Sequence, residues 1–201
     1  MKIIAISDSH NKHNELCIPP GDVFIHAGDA TNIGRIHELQ SFSAFVNSLP
    51  HPHKIIIAGN HDPCYEQYNF CDFFHNAHFL VDECIVIDNI KFYGSPWTPA
   101  HWAYHCEKDS LQDKWQNIPH DVDVLITHMP PAKILDFDVN AHKHQGCKYL
   151  AKRVQQIQPK YHIFGHVHSN GTHQWNRTTF INASVCGNRY QLEYPPSVFY
   201  L

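Results

Sequence analysis

Short apolar runs rich in Ile and Val punctuate the chain at 2–7, 23–27, 54–58, 122–127 and 161–164, each about the length of one strand. Runs of this kind, without strict alternation, predict strands buried on both faces. Between the second and third runs, Ile36, Leu39, Phe42, Phe45, Val46 and Leu49 recur at helical spacing, and Pro50 stops the pattern. Leu150, Val154 and Ile157 predict a second amphipathic helix, ended by Pro159 just ahead of the run at 161–164. Strand and helix alternating in this way imply a sheet with helices on its faces. The segments HFLV, CIVI and IKFY between 78 and 93 predict a meander, and 172–183 predicts a hairpin. These antiparallel pieces make the sheet content mixed. The expected fold class is therefore α/β (α+β), a four-layer α/β/β/α sandwich of two mixed sheets between helices. No Gly/Ser linker, low-complexity tract or fixed-period repeat interrupts the sequence, which predicts a single domain over 1–201.

Composition narrows the possible partners. Apolar residues make up 43% of the chain and charged residues 17%, which suits a packed core and argues against disorder. The longest apolar runs, such as Ile3–Ile6 and Ile55–Ala58, fall far short of the roughly 18 residues of a membrane helix. The run after Lys2 stops at Ser7 and Asp8, too short for a signal peptide. A net charge of −4, with no run of five basic residues, argues against an extended grip on nucleic acid. The seven cysteines (17, 64, 71, 84, 106, 147 and 186) are scattered and never spaced C-x-x-C, which argues against disulfides and thiolate zinc and for a reducing cytoplasm. The expectation is a cytoplasmic chain acting on a small molecule. The nineteen histidines are the outlier, and they predict a charge that swings quickly across the histidine range.

The residues just beyond the strands carry the chemistry. Run 2–7 ends in Asp8-Ser9-His10, run 23–27 leads through Gly28 to Asp29, and run 54–58 through Gly59 to Asn60-His61-Asp62. Run 122–127 leads directly to His128, and run 161–164 to Gly165-His166-Val167-His168. Sites in open α/β sheets form outside the carboxyl ends of strands, and glycine lets the backbone approach a ligand there. The set Asp8, His10, Asp29, Asn60, His128, His166 and His168 offers two carboxylates, one amide oxygen and four imidazoles, with no thiolate. Such donors suit manganese, iron, zinc, cobalt or nickel and disfavour a pure magnesium or calcium cage. Seven donors exceed what one tetrahedral ion takes and match two ions sharing a bridge, the arrangement that activates water for in-line displacement at phosphorus. Singly, Gly59-Asn60-His61 reads equally as a tight turn and Gly28-Asp29 as a helix cap. Their conjunction at five strand ends favours the metal reading.

The ordered set D8-S-H10, G28-D29, G59-N60-H61-D62, H128 and G165-H166-V-H168 resembles the calcineurin-like metallophosphoesterases. More narrowly, it resembles the small metallophosphoesterase-domain branch that includes class III phosphodiesterases. Supporting stretches are His26-Ala27-Gly28-Asp29, Gly94-Ser95-Pro96-Trp97-Thr98-Pro99, Thr127-His128-Met129-Pro130-Pro131 and Ile181-Asn182-Ala183-Ser184. The resemblance implies one metal held by Asp8, His10 and His168, another by Asn60, His128 and His166, and Asp29 bridging both. It implies that His61 protonates the leaving group or steadies the phosphate, with Asp62 as its partner. The implied activity is hydrolysis of a small phosphodiester, nucleotides included, with manganese the favoured metal and a hydroxide bridging the two ions.

The phosphoprotein-phosphatase pattern G-D-x-x-D-R would put Asp and Arg where this chain has Asn32 and Ile33, which argues against phosphoproteins as substrates. Two divalent ions balanced by Asp8, Asp29 and a bridging hydroxide leave a charge of about +1, which a diester neutralises and a monoester overshoots. Only four arginines exist and none lies within the metal motifs, although Arg35, Arg189 or a lysine could reach a substrate. The alternatives are a phosphomonoesterase with the same site, a nuclease, and a non-catalytic scaffold, the last expected to have lost ligands. Oligomeric state stays open between monomer and homodimer. Trp97 and Trp102 flank a loop that either stacks on a base or packs, and Asn188 and Arg189 are weaker candidates for phosphate contact. Cys147 and Cys186 are read as buried small hydrophobes, and the fourteen histidines outside the motifs as residues without a role.

Overall fold

A computed structural model describes all 201 residues. The first sheet contains β1 (Lys2–Ile6), β2 (Val23–Ala27), β3 (His53–Ile57), β4 (His78–Phe79) and, last in the chain, β13 (Ser197–Tyr200), in the order β13-β1-β2-β3-β4. The second contains β5 (Glu83–Ile87), β6 (Ile90–Ser95), β7 (Val124–Thr127), β10 (Tyr161–Phe164), β11 (Gly171–Trp175) and β12 (Thr178–Asn182), in the order β11-β12-β10-β7-β6-β5. β8 (Phe137–Asp138) and β9 (Lys143–His144) form a small separate ribbon. The helices are α1 (Ile36–Ser48), α2 (Cys64–Gln67), α3 (Leu111–Gln116) and α4 (Lys148–Ile157).

Strand residues sort by parity into three apolar layers, as a period of two demands. Ile3, Val23, Ile25, Ile55 and Ile57 face Phe92, Val124, Ile126, Ile163 and Ile181 across the space between the sheets. On the outer face of the first sheet, Phe24 and Ile56 pack against Leu39, Phe42, Phe45 and Val46 of α1. Outside the second, Leu125, Phe164 and Phe180 meet Leu111 and Trp115 of α3 and Leu150, Val154 and Ile157 of α4. This is the expected α/β/β/α sandwich. No helix is long and apolar enough to cross a membrane.

One expectation needs correction. The three segments between 78 and 93 do not form a meander, because β4 extends the first sheet, pairing parallel with β3, while β5 and β6 form a hairpin in the second. The chain changes sheets at Leu80, which turns into the inter-sheet core, whereas Phe79 stacks on Phe70 with ring centroids 4.9 Å apart on the α1 side.

Three histidines outside the metal motifs are fully buried and structural: His13, His26 and His162. Gly28 N–H donates to His26 Nδ1 at 3.3 Å, so Nε2 carries the proton and donates to Ser9 Oγ at 3.0 Å. Thr127 Oγ1 donates to Met129 O at 2.7 Å, so His162 Nε2 donates to the hydroxyl at 2.9 Å. Burial pushes His13 down to about 4 and His26 and His162 down to about 3 from an ordinary 6.5. Below the ordinary value the unfolded chain takes up protons that these sites refuse, so their contribution is complete above 6.5 and is lost as pH falls. We expect the urea midpoint to drop steeply from about pH 7.5 to about pH 5. A midpoint unchanged over that range contradicts neutral burial of these rings.

Candidate metal centre

β1, β2 and β3 run parallel and in register, with Ile6 beside His26 and His26 beside Ile56, so the segments after them leave one edge of the sheet together. β7 and β10 are likewise parallel, which brings the segments after Thr127 and Phe164 out side by side. The two edges are stitched together where Ser7 N–H donates to Ala183 O at 2.8 Å and Val185 N–H to Ser7 O at 3.0 Å. All seven donors expected from the strand ends converge there.

Convergence requires unusual backbone. Asp8, His10, Asp29 and His166 lie in the left-handed region at φ 53°, 41°, 57° and 68°. Each such non-glycine residue costs on the order of 1–3 kcal/mol, and clusters of them mark functional sites. Two glycines admit the carboxylates. A Cβ on Gly59 would stand 2.1 Å from Asp29 Oδ1, and one on Gly165 would stand 2.1 Å from Asp8 Oδ2.

The donors fall into two groups, Asp8 with His10 and His168, and Asp29 with His128 and His166. His10 Nδ1 faces Thr31 O at 3.1 Å, His128 Nδ1 faces Ala27 O at 2.9 Å, and His168 Nδ1 faces Gly187 O at 3.0 Å. Each ring therefore donates Nδ1–H outward and turns Nε2 inward, bare in His10 and His168 and sharing a proton with Asp29 in His128. The Nε2 atoms of His10 and His168 lie 3.2 Å apart. Asn60 Oδ1 stands 3.2 Å from His128 Nε2 and 3.0 Å from His166 Nδ1. The facing lone pairs of His10 and His168 repel unless a cation lies between them, and in the second group a cation would displace the proton that His128 shares with Asp29, so the donor chemistry fits bound metal in both groups. Asp29 Oδ2 is 3.3 Å from His128 Nε2 and 3.9 Å from His10 Nε2, between the groups.

The electrostatics agree with a prepared cation site. Burial holds His10 and His166 down at about 4, leaving neutral rings with free lone pairs. Burial also pulls His128 down, but the Asp29 charge and hydrogen bond win and raise it to about 9. Asp29 is the converse case: burial raises it, yet the charge and hydrogen bond of His128, then His10 and His61, carry it well below the carboxylate range. A cation would replace the proton shared by this pair.

His61 stands beside the groups without joining either. Its N–H donates to Asp29 Oδ1 at 2.8 Å, and its ring meets His10 edge to face with centroids 5.0 Å apart. The expected partnership with Asp62 is corrected by the geometry. His61 Nδ1 donates to Asn32 O at 2.6 Å. Asp62 is turned inward, accepting from Thr31 N and Oγ1 and from Gly59 N, each at 2.9 Å, and from Ala30 N at 3.2 Å. Its fully buried carboxylate is committed to four donors and ties the segment after β2 to the one after β3. Burial and the nearby Asp29 charge raise its pKa.

Other residues at the site carried little signal. Tyr190 packs edge-on against His10 and His168 at 4.7 Å from each, beside the expected Arg189, which is itself exposed. Asn188 O accepts from Asn140 Nδ2 at 3.1 Å. Glu38 accepts from the backbone N–H groups of Asn32, Ile33 and Arg35 at 3.3, 3.3 and 2.7 Å, steadying the carbonyl that aims His61. Its spacing from Arg35 is the capping-box offset. The two tryptophans separate: Trp97 Nε1 donates to Asp82 at 2.7 Å and packs, whereas Trp102 is 55% exposed with its ring 4.9 Å from His61.

Paired histidine and carboxylate groups at the strand ends of a double-sheet sandwich are the architecture of a metal-dependent hydrolase. The chain belongs to the calcineurin-like phosphoesterase family, whose model matches residues 1–170. It is 36% identical to a UPF0046 protein of Caenorhabditis elegans, with all of this chain and 75% of that one covered. It is 35% identical to human metallophosphoesterase domain-containing protein 1, with 98% of this chain and 70% of that one covered. Among solved structures it resembles phosphopantetheinyl hydrolase from Mycobacterium tuberculosis, with a TM-score of 0.63 at 16% identity, covering 94% and 90% of the two chains. The chain is thus a metal-dependent phosphoester hydrolase, in a family that uses divalent ions.

Gly165→Ala is expected to abolish most metal uptake, read by elemental analysis after loading with Mn²⁺, because its Cβ would occupy the Asp8 carboxylate position. Gly171→Ala, where the nearest atom is a flexible Leu135 methyl at 3.3 Å, should load normally. Equal loading of the two variants contradicts the close-approach argument.

Proposed function

We propose that the protein is a phosphodiesterase for small esters, working through two metal ions. Asp8, His10 and His168 would hold one ion, Asn60, His128 and His166 the other, and Asp29 would bridge them. The observation that carries this reading is the position of Asp29 Oδ2 between the groups, 3.3 Å from His128 Nε2 and 3.9 Å from His10 Nε2. Nitrogen and oxygen donors without thiolate favour manganese, with iron, zinc, cobalt and nickel as competitors. Such a pair, when bound, activates water and stabilises an in-line displacement at phosphorus.

The side chains supply the rest. His61 is anchored at Nδ1, which leaves Nε2 as its working atom; protonated there, it gives its proton to the leaving oxygen. Asp62 positions the loops that carry Asp29 and Asn60 and takes no part in the proton transfer. Diesters are favoured over monoesters because two divalent ions balanced by Asp8, Asp29 and a hydroxide would leave a charge of about +1, and no arginine lies within the donor motifs. Asn32 stands where phosphoprotein phosphatases have Asp, and it contributes only a backbone carbonyl. Seven free thiols, four of them buried, support a reducing compartment such as the cytoplasm.

Activity should vanish with chelator and return with Mn²⁺, and kcat/KM should rank bis(p-nitrophenyl) phosphate above p-nitrophenyl phosphate and a phosphoserine peptide. A clear win for either monoester overturns the diester reading, and full activity in protein free of metal overturns the hydrolytic one. His61→Ala should lower kcat by about 10²–10⁴-fold for alkoxide leaving groups, less for p-nitrophenolate, and keep its metal. Asp62→Ala should instead lose metal. If His61→Ala loses metal and Asp62→Ala keeps it, the roles are reversed.

A further inference from the structure

A cavity of about 520 Å³ opens from the metal centre, with His166 in its wall. Its floor is apolar, formed in part by Leu111 and Met129, and its rim carries Lys108, Lys143 and Lys148. None of these three lysines forms an ion pair within the protein. Lys148 Nζ sits 4.7 Å over the Tyr149 ring. The one free carboxylate on the rim, Asp109, accepts from Tyr149 OH at 3.3 Å. His144 on the same wall is already bound through Nδ1 to the buried Asp136 at 2.6 Å. The first turn of α4, which begins at Lys148, has no side-chain cap and no acidic residue, so no residue of the helix itself offsets its positive end.

In a chain of net charge −4, three ammonium groups outside any ion pair, around a cavity that reaches a metal-site histidine, form a positive rim that suits an anionic occupant. The metal centre accounts for the scissile phosphate. We propose that this cavity is the substrate cleft and that its lysines bind a second anionic group, a phosphate or carboxylate remote from the scissile phosphorus. The preferred substrate class is then a phosphodiester carrying an additional terminal anion. The inference rests on the phosphoesterase reading and adds to it the half of the substrate that the metals do not touch.

The test compares two nucleotides that differ by one phosphate. Calorimetric titration of the Mn²⁺-loaded protein should give thymidine 3′,5′-bisphosphate at least about tenfold tighter binding than thymidine 5′-monophosphate. The preference should shrink as salt rises, since the lysines are exposed. In the variant carrying both Lys143→Gln and Lys148→Gln, the ratio should fall to within about twofold of unity. The ratio of the two affinities is the readout, so a general loss of binding does not mimic the effect. Equal affinities in the wild type, or a preference that survives both substitutions, overturn the proposal, the latter placing the second phosphate on the metals. Turnover of bis(p-nitrophenyl) phosphate on the same preparation reports on the esterase reading alone, because that ester has no second anion.

Discussion

Electron-pair donors crowded to within hydrogen-bonding distance of one another set the terms for this structure. His10 and His168 present bare Nε2 atoms 3.2 Å apart, and Asn60 presents its amide oxygen to two further rings at 3.0 and 3.2 Å. The outer nitrogens of His10, His128 and His168 are tied to backbone carbonyls, so the rings cannot relieve the conflict by turning over. Four of the residues involved also sit on left-handed backbone. Such an arrangement costs free energy locally, and the three apolar layers between and outside the two sheets supply the stability that offsets it. Cations complete it, and their binding contributes to the stability of the fold.

A second ring of polar residues keeps the donors in place without touching a substrate. Asp62 joins the loops after β2 and β3, and Glu38 braces the turn whose Asn32 carbonyl orients His61. Asn182 does similar work on the second sheet, where its Nδ2 donates to Val167 O at 2.9 Å and Leu135 O at 3.1 Å. Asp62 and Asn182 span segments far apart in the chain, whereas Glu38 braces the entry to its own helix. A change at any of them should act on the metal centre through geometry, which separates them from the proposed role of His61.

Much of this could be read from residue order. Strands buried on both faces announce themselves as runs such as Ile55–Ala58, and the donor residues come directly after those runs, so local sequence marks both the strand and the donor that follows it. The features that stayed hidden depend on pairing across distance. β4 is two residues long and its sheet is decided by where Leu80 and Phe79 find their cores. β13 buries only Phe199, too weak a pattern to mark a strand, and is made by its pairing with β1. Asp62 comes next to His61 in the chain, and the family resemblance implied a partnership; three donors from Ala30 and Thr31 on another segment, with Gly59 N–H, decide otherwise. Tyr190 reaches two donor rings only because the chain after β12 returns across the site, and the lysines of the cavity come from before, within and after the β8–β9 ribbon.

Whether Asp29 joins two ions into one centre can be read from the metals themselves. Low-temperature electron paramagnetic resonance of protein loaded with two equivalents of Mn²⁺ should give the multiline spectrum of an exchange-coupled pair, and Asp29→Asn should remove the coupling. A six-line spectrum of isolated ions in the wild-type protein at full loading would contradict a bridged centre.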